Sequence, residues 1–351
     1  MMLSVAPTWA RVRSKIYGRQ APLAELAEKK FELAPALEVE ESSALALPGE
    51  FERVEGTRAY TSIVEQAGIV KGGLRSHLPT IAYRYSNVLL VDGVIYVRGG
   101  YERISSRRSR LVVLDRAQTY SSAVICADIG SDIFFGRWLC DSLAKELLAC
   151  ELGMEPINQS NPARIHEKGY RGLLGLNAHL PDVARIDDLL VVDDRGYNKD
   201  HVRRFRELRN RLRVRTGSSG PTRVYIARGR IAVEGRSIHN DSEVARALCS
   251  LGFTVIYPEE MTPDTIQAAL RNARIVVAVE GSTLAHAQLA MPQGGAMITI
   301  QPSNRFSTAH KSVAEAAGLR FGYVVGQAHG VGLTVDIDRL CRTIELADGS
   351  V

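Results

Sequence analysis

No stretch of this 351-residue chain approaches the run of about 20 apolar residues that a membrane-crossing helix needs. Met1 to Arg13 also lacks the continuous apolar core of a signal peptide, so a cytoplasmic protein is expected. Cysteine is scarce. The five, Cys126, Cys140, Cys150, Cys249 and Cys341, are odd in number and none are paired at metal-ligand spacing. That argues against a disulfide framework and against a zinc ribbon, and they are expected to be reduced, mostly buried thiols. No Gly-x-Gly-x-x-Gly turn follows a strand, which counts against a dehydrogenase-type dinucleotide site. There is no internal repeat, no low-complexity tract and no nucleic-acid recognition motif with interleaved aromatics.

What is present is an ordinary globular composition, 45% hydrophobic and 24% charged, long enough for two domains. The net charge of +5 is unevenly spread. Arg203, Arg204, Arg206, Arg209, Arg211, Arg213 and Arg215 share their stretch with a single acid, Glu207, and a second cluster holds Arg103, Arg107, Arg108 and Arg110. The plain reading is a solvated helix face and a basic loop. The sharper one is peripheral contact with an anionic membrane at its inner face, where a lipid-linked acceptor would wait.

The most informative junction follows the β-branched run from Arg274 to Val279, where Glu280-Gly281-Ser282 leads into a helix-like segment from Thr283 to Ala290. A strand, a tight turn and a helix point N–H groups and a positive dipole end at whatever lies above, which favours a phosphate. Equivalent units surround it. Thr222 to Ala227 and Phe253 to Tyr257 read as strands. Asn240 to Leu251 reads as a helix with an Asn240/Glu243 capping box and Gly252 as its stop. A helix starts at Thr262-Pro263 and ends near Ala273, Met297 to Ile300 is a strand, and Thr308 to Ala317 is a helix stopped by Gly318. Arg320 to Val325 and Val335 to Leu346 complete the series. Such alternation predicts a parallel, doubly wound sheet with ligands beyond the carboxyl ends of its strands, where Arg228, Glu259 and Glu280 lie.

The ordered series Tyr225-Ile226-Ala227-Arg228, Arg236-Ser237-Ile238-His239-Asn240, Gly252-Phe253, Tyr257-Pro258-Glu259-Glu260-Met261, Gln267 and Glu280-Gly281-Ser282-Thr283-Leu284 resembles the catalytic domain of glycosyltransferase family 61. The resemblance covers the last third of the chain. It implies an α/β, GT-B-like architecture of two facing Rossmann-like domains with parallel sheets. It also implies a nucleotide-sugar donor, commonly UDP-linked, inversion at the anomeric centre, and, for bacterial members, cell-surface polysaccharide synthesis with a glycan or lipid-linked acceptor. Eukaryotic members carry a histidine where Glu280 stands.

Thr216-Gly217-Ser218-Ser219-Gly220-Pro221 has linker composition. The expected division is a helical extension over 1–35, an acceptor-side domain over 36–215 and a nucleotide-sugar domain over 222–351. Upstream, Asn87 to Val91 and Val94 to Arg98 flank Asp92-Gly93 as a β-hairpin. Leu111 to Leu114, Ser122 to Ala127 and Asp188 to Val192 are further strand candidates, and Gly136 to Leu152 a helix. Phe135-Gly136-Arg137-Trp138-Leu139-Cys140-Asp141-Ser142-Leu143 resembles a segment of bacterial relatives that has a histidine in place of Arg137. Asp141 there could deprotonate an acceptor hydroxyl, or simply pair with Arg137 at i, i+4.

Arg228 and Arg230 could hold a diphosphate through paired hydrogen bonds, or form a basic loop. Glu280 could serve donor hydroxyls, order the site, or merely cap its helix. In the first two cases Glu280→Gln is expected to cost transfer with little change in melting. Glu259, Gly281, Ser282, Thr283 and His286 complete the candidate donor site, with His286 equally readable as a packed side chain. Asp193-Asp194 and Asp336-x-Asp338 look like metal-binding pairs, yet the second sits where a helix start favours acids, and no metal ligand or bound cofactor is expected. A nucleotide- or glycan-binding protein without catalysis and another Rossmann-type enzyme remain as alternatives.

Overall fold

The computed structural model describes residues 21–106, 117–161, 163–215, 219–228 and 237–349. The first 20 residues, the candidate strand Leu111 to Leu114, Arg107, Arg108, Arg110, the linker residues 216–218, Arg230 and Arg236 lie outside them. Up to residue 215 the strands are β1 (Lys29–Ala34), β2 (Leu37–Glu41), β3 (Gly73–His77), β4 (Thr80–Val91), β5 (Val94–Val97), β6 (Gly100–Arg103), β7 (Gln118–Ile125), β8 (Glu155–Ile157) and β9 (Val183–Asp193). From there they are β10 (Arg223–Ile226), β11 (Ser237–Ile238), β12 (Thr254–Ile256), β13 (Ile275–Val279), β14 (Ala296–Pro302), β15 (Arg320–His329) and β16 (Gly332–Thr334). Contacts group the chain into two compact units. One is Met1–Leu37, Leu78–Glu167 and Gly175–Arg204; the other is Glu38–His77, Lys168–Leu174 and Phe205–Val351.

The first unit carries a mixed sheet in the order β6-β5-β4-β9-β7-β8, with β1 also paired to β4. β7 runs parallel to β8 and β9, whereas β4 is antiparallel to β1, β5 and β9. The all-parallel sheet expected in this half is therefore corrected. The expected Asp92-Gly93 hairpin explains part of the difference. Both residues have positive φ, 46° and 71°, the two-residue turn that matches strand twist and can join only antiparallel neighbours. Alternation sorts the core to the two faces: Ala123, Ile125 and Leu189 pack in one cluster, Val124, Leu190 and Val192 in another with Leu148 and Ala149 of the Leu143–Glu151 helix.

The helical reading of residues 1–35 is corrected where the structure describes it. Lys29–Ala34 is a strand, held by antiparallel pairing with β4 from Lys29 opposite Arg84 to Ala34 opposite Thr80, with Leu33 packed on the sheet. The thiols are corrected too: Cys126 and Cys140 are buried and Cys341 is half-buried, but Cys150 and Cys249 are exposed, all of them free.

The second unit matches the α/β expectation closely. Its main sheet runs β11-β16-β15-β14-β13-β10-β12. Every pair from β12 to β15 is parallel, and β16 is antiparallel to β15. Counted in chain order, the parallel strands lie as 2-1-3-4-5, a doubly wound order whose reversal falls between β10 and β13. Tyr225, Val277, Val279, Ile298 and Ile300 pack with the Asp241–Ser250 and Ile337–Asp348 helices on one face.

Asn240 precedes the first of these helices but does not form the expected capping box. Its amide instead donates to the Val335 carbonyl at 2.9 Å and accepts from the Val335 N–H at 3.0 Å, a tertiary use that outcompetes the local one. Thr262 and Thr265 do cap the Pro263–Leu270 helix, and Asp336 caps the last one, accepting from Arg339 N–H at 3.1 Å.

Residues 38–77 wrap this second sheet. Leu45 bridges to Gly322 beside β15, and Glu55 and Gly56 both donate from their N–H groups to the Ser303 carbonyl, at 2.8 and 3.0 Å. The Phe306 N–H returns a bond to Gly56 at 2.9 Å. Buried Glu50 accepts from Val325 N–H at 2.6 Å and from Arg339 Nε at 2.7 Å. Ser62 and Glu65 form a capping box on the Ile63–Lys71 helix, whose Gln66 accepts from Thr308 N–H at 2.7 Å.

Candidate functional site

The strand-order reversal puts the end of β10 beside the end of β13, and there the predicted Arg228 and Glu280 meet. Arg228 Nη2 donates to the Glu280 main-chain carbonyl at 2.7 Å. The Glu280 side chain is fully buried. One carboxylate oxygen accepts from Arg58 Nη2 in a very short contact, and the other from Arg305 Nη2 at 3.1 Å. Burial works against the charged Arg58 guanidinium, yet the fields of Glu280 and of Tyr60, whose hydroxyl accepts from Arg58 Nη1 at 2.8 Å, outweigh it and raise its pKa. The wrapping segment delivers Arg58, and the turn after β14 delivers Arg305. Neither was visible in the sequence as a site residue: Arg58 stands in a turn-rich stretch and Arg305 in a turn, each without a motif.

Gly281 has φ 146°, a conformation that favours glycine at this turn. The helix beyond it is Leu284–Ala290, with Thr283 as its N-cap residue making no side-chain cap. The N–H groups of Leu284, Ala285 and His286 turn back to the carbonyls of Gly281, Ser282 and Thr283 at 3.1–3.2 Å. The N–H groups outside that ladder are those of Gly281, Ser282 and Thr283 themselves. Ser282 is half-buried, and the Thr283 hydroxyl is buried without a hydrogen-bond partner. Glu259 is half-buried in the Pro258–Glu260 turn that follows β12.

His286 lies in the packed interior. Its Nδ1 meets the Tyr170 hydroxyl at 2.6 Å with the two rings stacked, and Gln267 Nε2 donates to the same hydroxyl at 2.9 Å. This network accounts for its burial without a ligand.

In the first unit, Asp141 sits in a π-helical turn, Trp138–Ser142, inside the helical stretch from Phe135 to Glu151. Such turns frequently mark functional sites, since the extra residue re-aims side chains. Tyr197 donates its hydroxyl to Asp141 Oδ1 at 3.2 Å, and Arg137 Nε stands 3.7 Å from Oδ2. The expected i, i+4 pair is thus present but long, and Arg137 also reaches Asp128 at 3.3 Å. Burial raises the Asp141 pKa more than the fields of His201, Arg137 and Lys145 lower it. A carboxylate whose pKa is lifted by desolvation is better suited to accept a proton.

Behind it, buried Asp194 accepts from Thr80 Oγ1 at 2.6 Å, from Arg204 at 2.9 Å and meets His201 Nδ1 at 3.0 Å. These partners overcome the burial that would raise it and hold its carboxyl well below the usual range. Asp193 pairs with Arg195 at 2.6 Å. Neither aspartate of the Asp193-Asp194 pair is therefore spare. Among the described residues no group of three or more His, Cys, Asp or Glu is placed to hold a metal ion.

The arginine-rich stretch is the Lys199–Arg215 helix, and it is not simply a solvated face. Arg209, buried, donates to the Met291 carbonyl at 2.6 Å and to that of Gln288, and Arg213 reaches the Ala290 carbonyl at 3.5 Å. They satisfy the carbonyl end of the Leu284–Ala290 helix, where cations are favoured. Arg203 pairs with Glu151, Arg204 with Asp194, Arg211 with Glu207, and Arg206 donates to the Ala316 carbonyl. Among the described residues no helix is long and apolar enough to cross a membrane.

A family model described as Glycosyltransferase 61 matches residues 77–298. No curated protein matches the sequence.

Proposed function

The chain belongs to the glycosyltransferase 61 family and is a glycosyltransferase, and from that premise we propose that it moves a sugar from a UDP-linked or similar nucleotide sugar to a glycan or lipid-linked acceptor. The reading includes inversion at the anomeric carbon, a GT-B organisation, work at the cytoplasmic face of the membrane and a place in bacterial cell-surface polysaccharide synthesis. The observation that carries the donor assignment is the strand-order reversal of the second sheet. Arg228 at the end of β10 is tied at 2.7 Å to the main chain of Glu280 at the end of β13, the place where doubly wound sheets bind ligands.

In this mechanism the second unit holds the donor diphosphate. Its cationic groups stabilise the negative charge that grows on the leaving phosphate as the anomeric carbon becomes oxocarbenium-like. Asp141 takes the proton of the attacking hydroxyl, and burial keeps its basicity higher than that of an ordinary carboxylate. The new glycosidic bond forms on the face opposite the departing nucleoside diphosphate.

The test is a thermal-shift screen against nucleoside diphosphates and nucleotide sugars, since a ligand that binds the folded state raises its melting temperature. Titration of Arg228→Ala with the best nucleotide follows. Affinity should weaken by about 1.5–3 kcal/mol, the range for hydrogen bonds to charged groups. A wild-type protein that no nucleotide stabilises would remove the donor site, and unchanged affinity in the variant would remove Arg228 from it.

A further inference from the structure

Arg58 and Arg305 are two cations on one carboxylate. Each gives one Nη2 to Glu280, and the ion pairs leave a surplus positive charge at the end of β13. Their Nε groups are both buried and both lack a hydrogen-bond partner, as does the buried Thr283 hydroxyl three residues after Glu280. A buried, unsatisfied guanidinium N–H is costly, and its recurrence at adjacent side chains calls for an absent acceptor. The acceptor must be anionic to match the surplus charge, and rich in oxygen to reach several donors at once.

We infer that Arg58 and Arg305, spread apart by Glu280, hold the phosphate oxygens of the nucleotide donor, with Glu280 acting as the internal post that aims them. The inference rests on the donor reading above and adds to it two ligands from outside residues 77–298, the span of the family match. Guanidinium groups suit this task because their planar forks can bind the carboxylate on one edge and phosphate oxygens on another. Glu280, fully buried with both oxygens occupied, works through the arginines and is a positioning residue.

The probes are UDP, GDP, inorganic pyrophosphate and inorganic phosphate, titrated calorimetrically into the wild type, Arg58→Gln and Arg305→Gln. Pyrophosphate should displace the nucleotide from the wild type, and each variant should bind both about 10- to 100-fold more weakly than the wild type does, at a temperature below its own ligand-free melting temperature so that it is folded. If glutamine at either position prevents folding, Arg58→Lys and Arg305→Lys keep a cation on Glu280 while losing the fork, and should still bind pyrophosphate several-fold more weakly. Wild-type nucleotide binding that is undiminished in all the variants overturns the inference and leaves glycosyl transfer standing. Phosphate bound as tightly as pyrophosphate, without competition from nucleotide, also overturns it, as a free-phosphate site. A wild type that binds neither nucleotide nor pyrophosphate refutes the donor reading itself.

Discussion

Replacing Glu280 by glutamine isolates the central feature of the second unit. The carboxylate is fully buried and accepts from Arg58 on one oxygen and from Arg305 at 3.1 Å on the other. Glutamine keeps the shape, but its amide NH₂ must face one of the guanidinium groups, donor against donor. Arg58, mostly buried, and Arg305, partly exposed, then lose their counter-charge. Breaking a buried ion pair from one side costs about 3–5 kcal/mol, which is more than a surface pair could ever cost. At about 2–4 °C per kcal/mol for domains of ordinary size, the melting temperature should fall by roughly 6–20 °C. This revises the expectation from sequence, under which melting would hardly change. Differential scanning calorimetry of the ligand-free variant reads the effect directly, and single-turnover assays on the same preparation should show transfer falling as well. A variant that melts within about a degree of the wild type would refute the buried two-arginine clamp and return Glu280 to a role at the surface of the site.

Asp141→Asn should retain nucleotide binding and lose about 10²–10⁴-fold in transfer, measured in single turnovers at saturating donor; near-normal turnover would move the base elsewhere. Because Tyr197 donates to the ionised Asp141, Tyr197→Phe should raise that pKa further and move the acid limb of the pH–rate profile to higher pH, whereas an unmoved limb would deny the coupling. Gly56→Ala places a Cβ 2.7 Å from the Asn304 carbonyl, so the segment carrying Arg58 should shift at a cost of about 1–3 kcal/mol, with nucleotide affinity falling in parallel by calorimetry. In the wrap, burial would raise the Glu41 pKa, but His77 and Lys311 hold it down to about 2 from an ordinary 4.5. A depressed folded-state pKa contributes stability above pH 4.5 that is lost as pH falls toward 2, so Lys311→Met should destabilise most near neutrality and least in acid, as read from urea midpoints across pH.

The second unit was legible because its signals are local. Periodicity, Pro263, Gly252 and Gly318 punctuate strands and helices within a few residues of the observed ends, and the alternation of types implies the parallel sheet. In the first unit the Asp92-Gly93 hairpin was readable for the same reason, its turn chemistry being contained in two residues. What failed was non-local. β1 owes its conformation to pairing with β4 some 50 residues on, and Asn240 exchanged a helix cap for the main chain of Val335. The π-turn at Asp141 leaves no mark in the pattern of apolar residues, since it adds one residue to a helix without changing its composition.

The candidate site shows the same division. Arg228, Glu280 and Gly281 stand at strand ends, so the fold alone brings them together, and the fold was readable. Arg58 arrives from a segment whose own sequence promises only turns, and its placement depends on Glu55 and Gly56 docking to Ser303, on Phe306 returning a bond to Gly56, and on Glu50 gripping β15 and Arg339. Each of those contacts joins residues more than 200 positions apart. A loop that must be held by so many distant bonds in order to set one guanidinium on a buried carboxylate is under a geometric constraint that packing does not require, because an apolar pair would fill the same space at less cost in desolvation. That excess of specification is the strongest physical reason to read the wrap as part of the binding site rather than as a cover over the sheet.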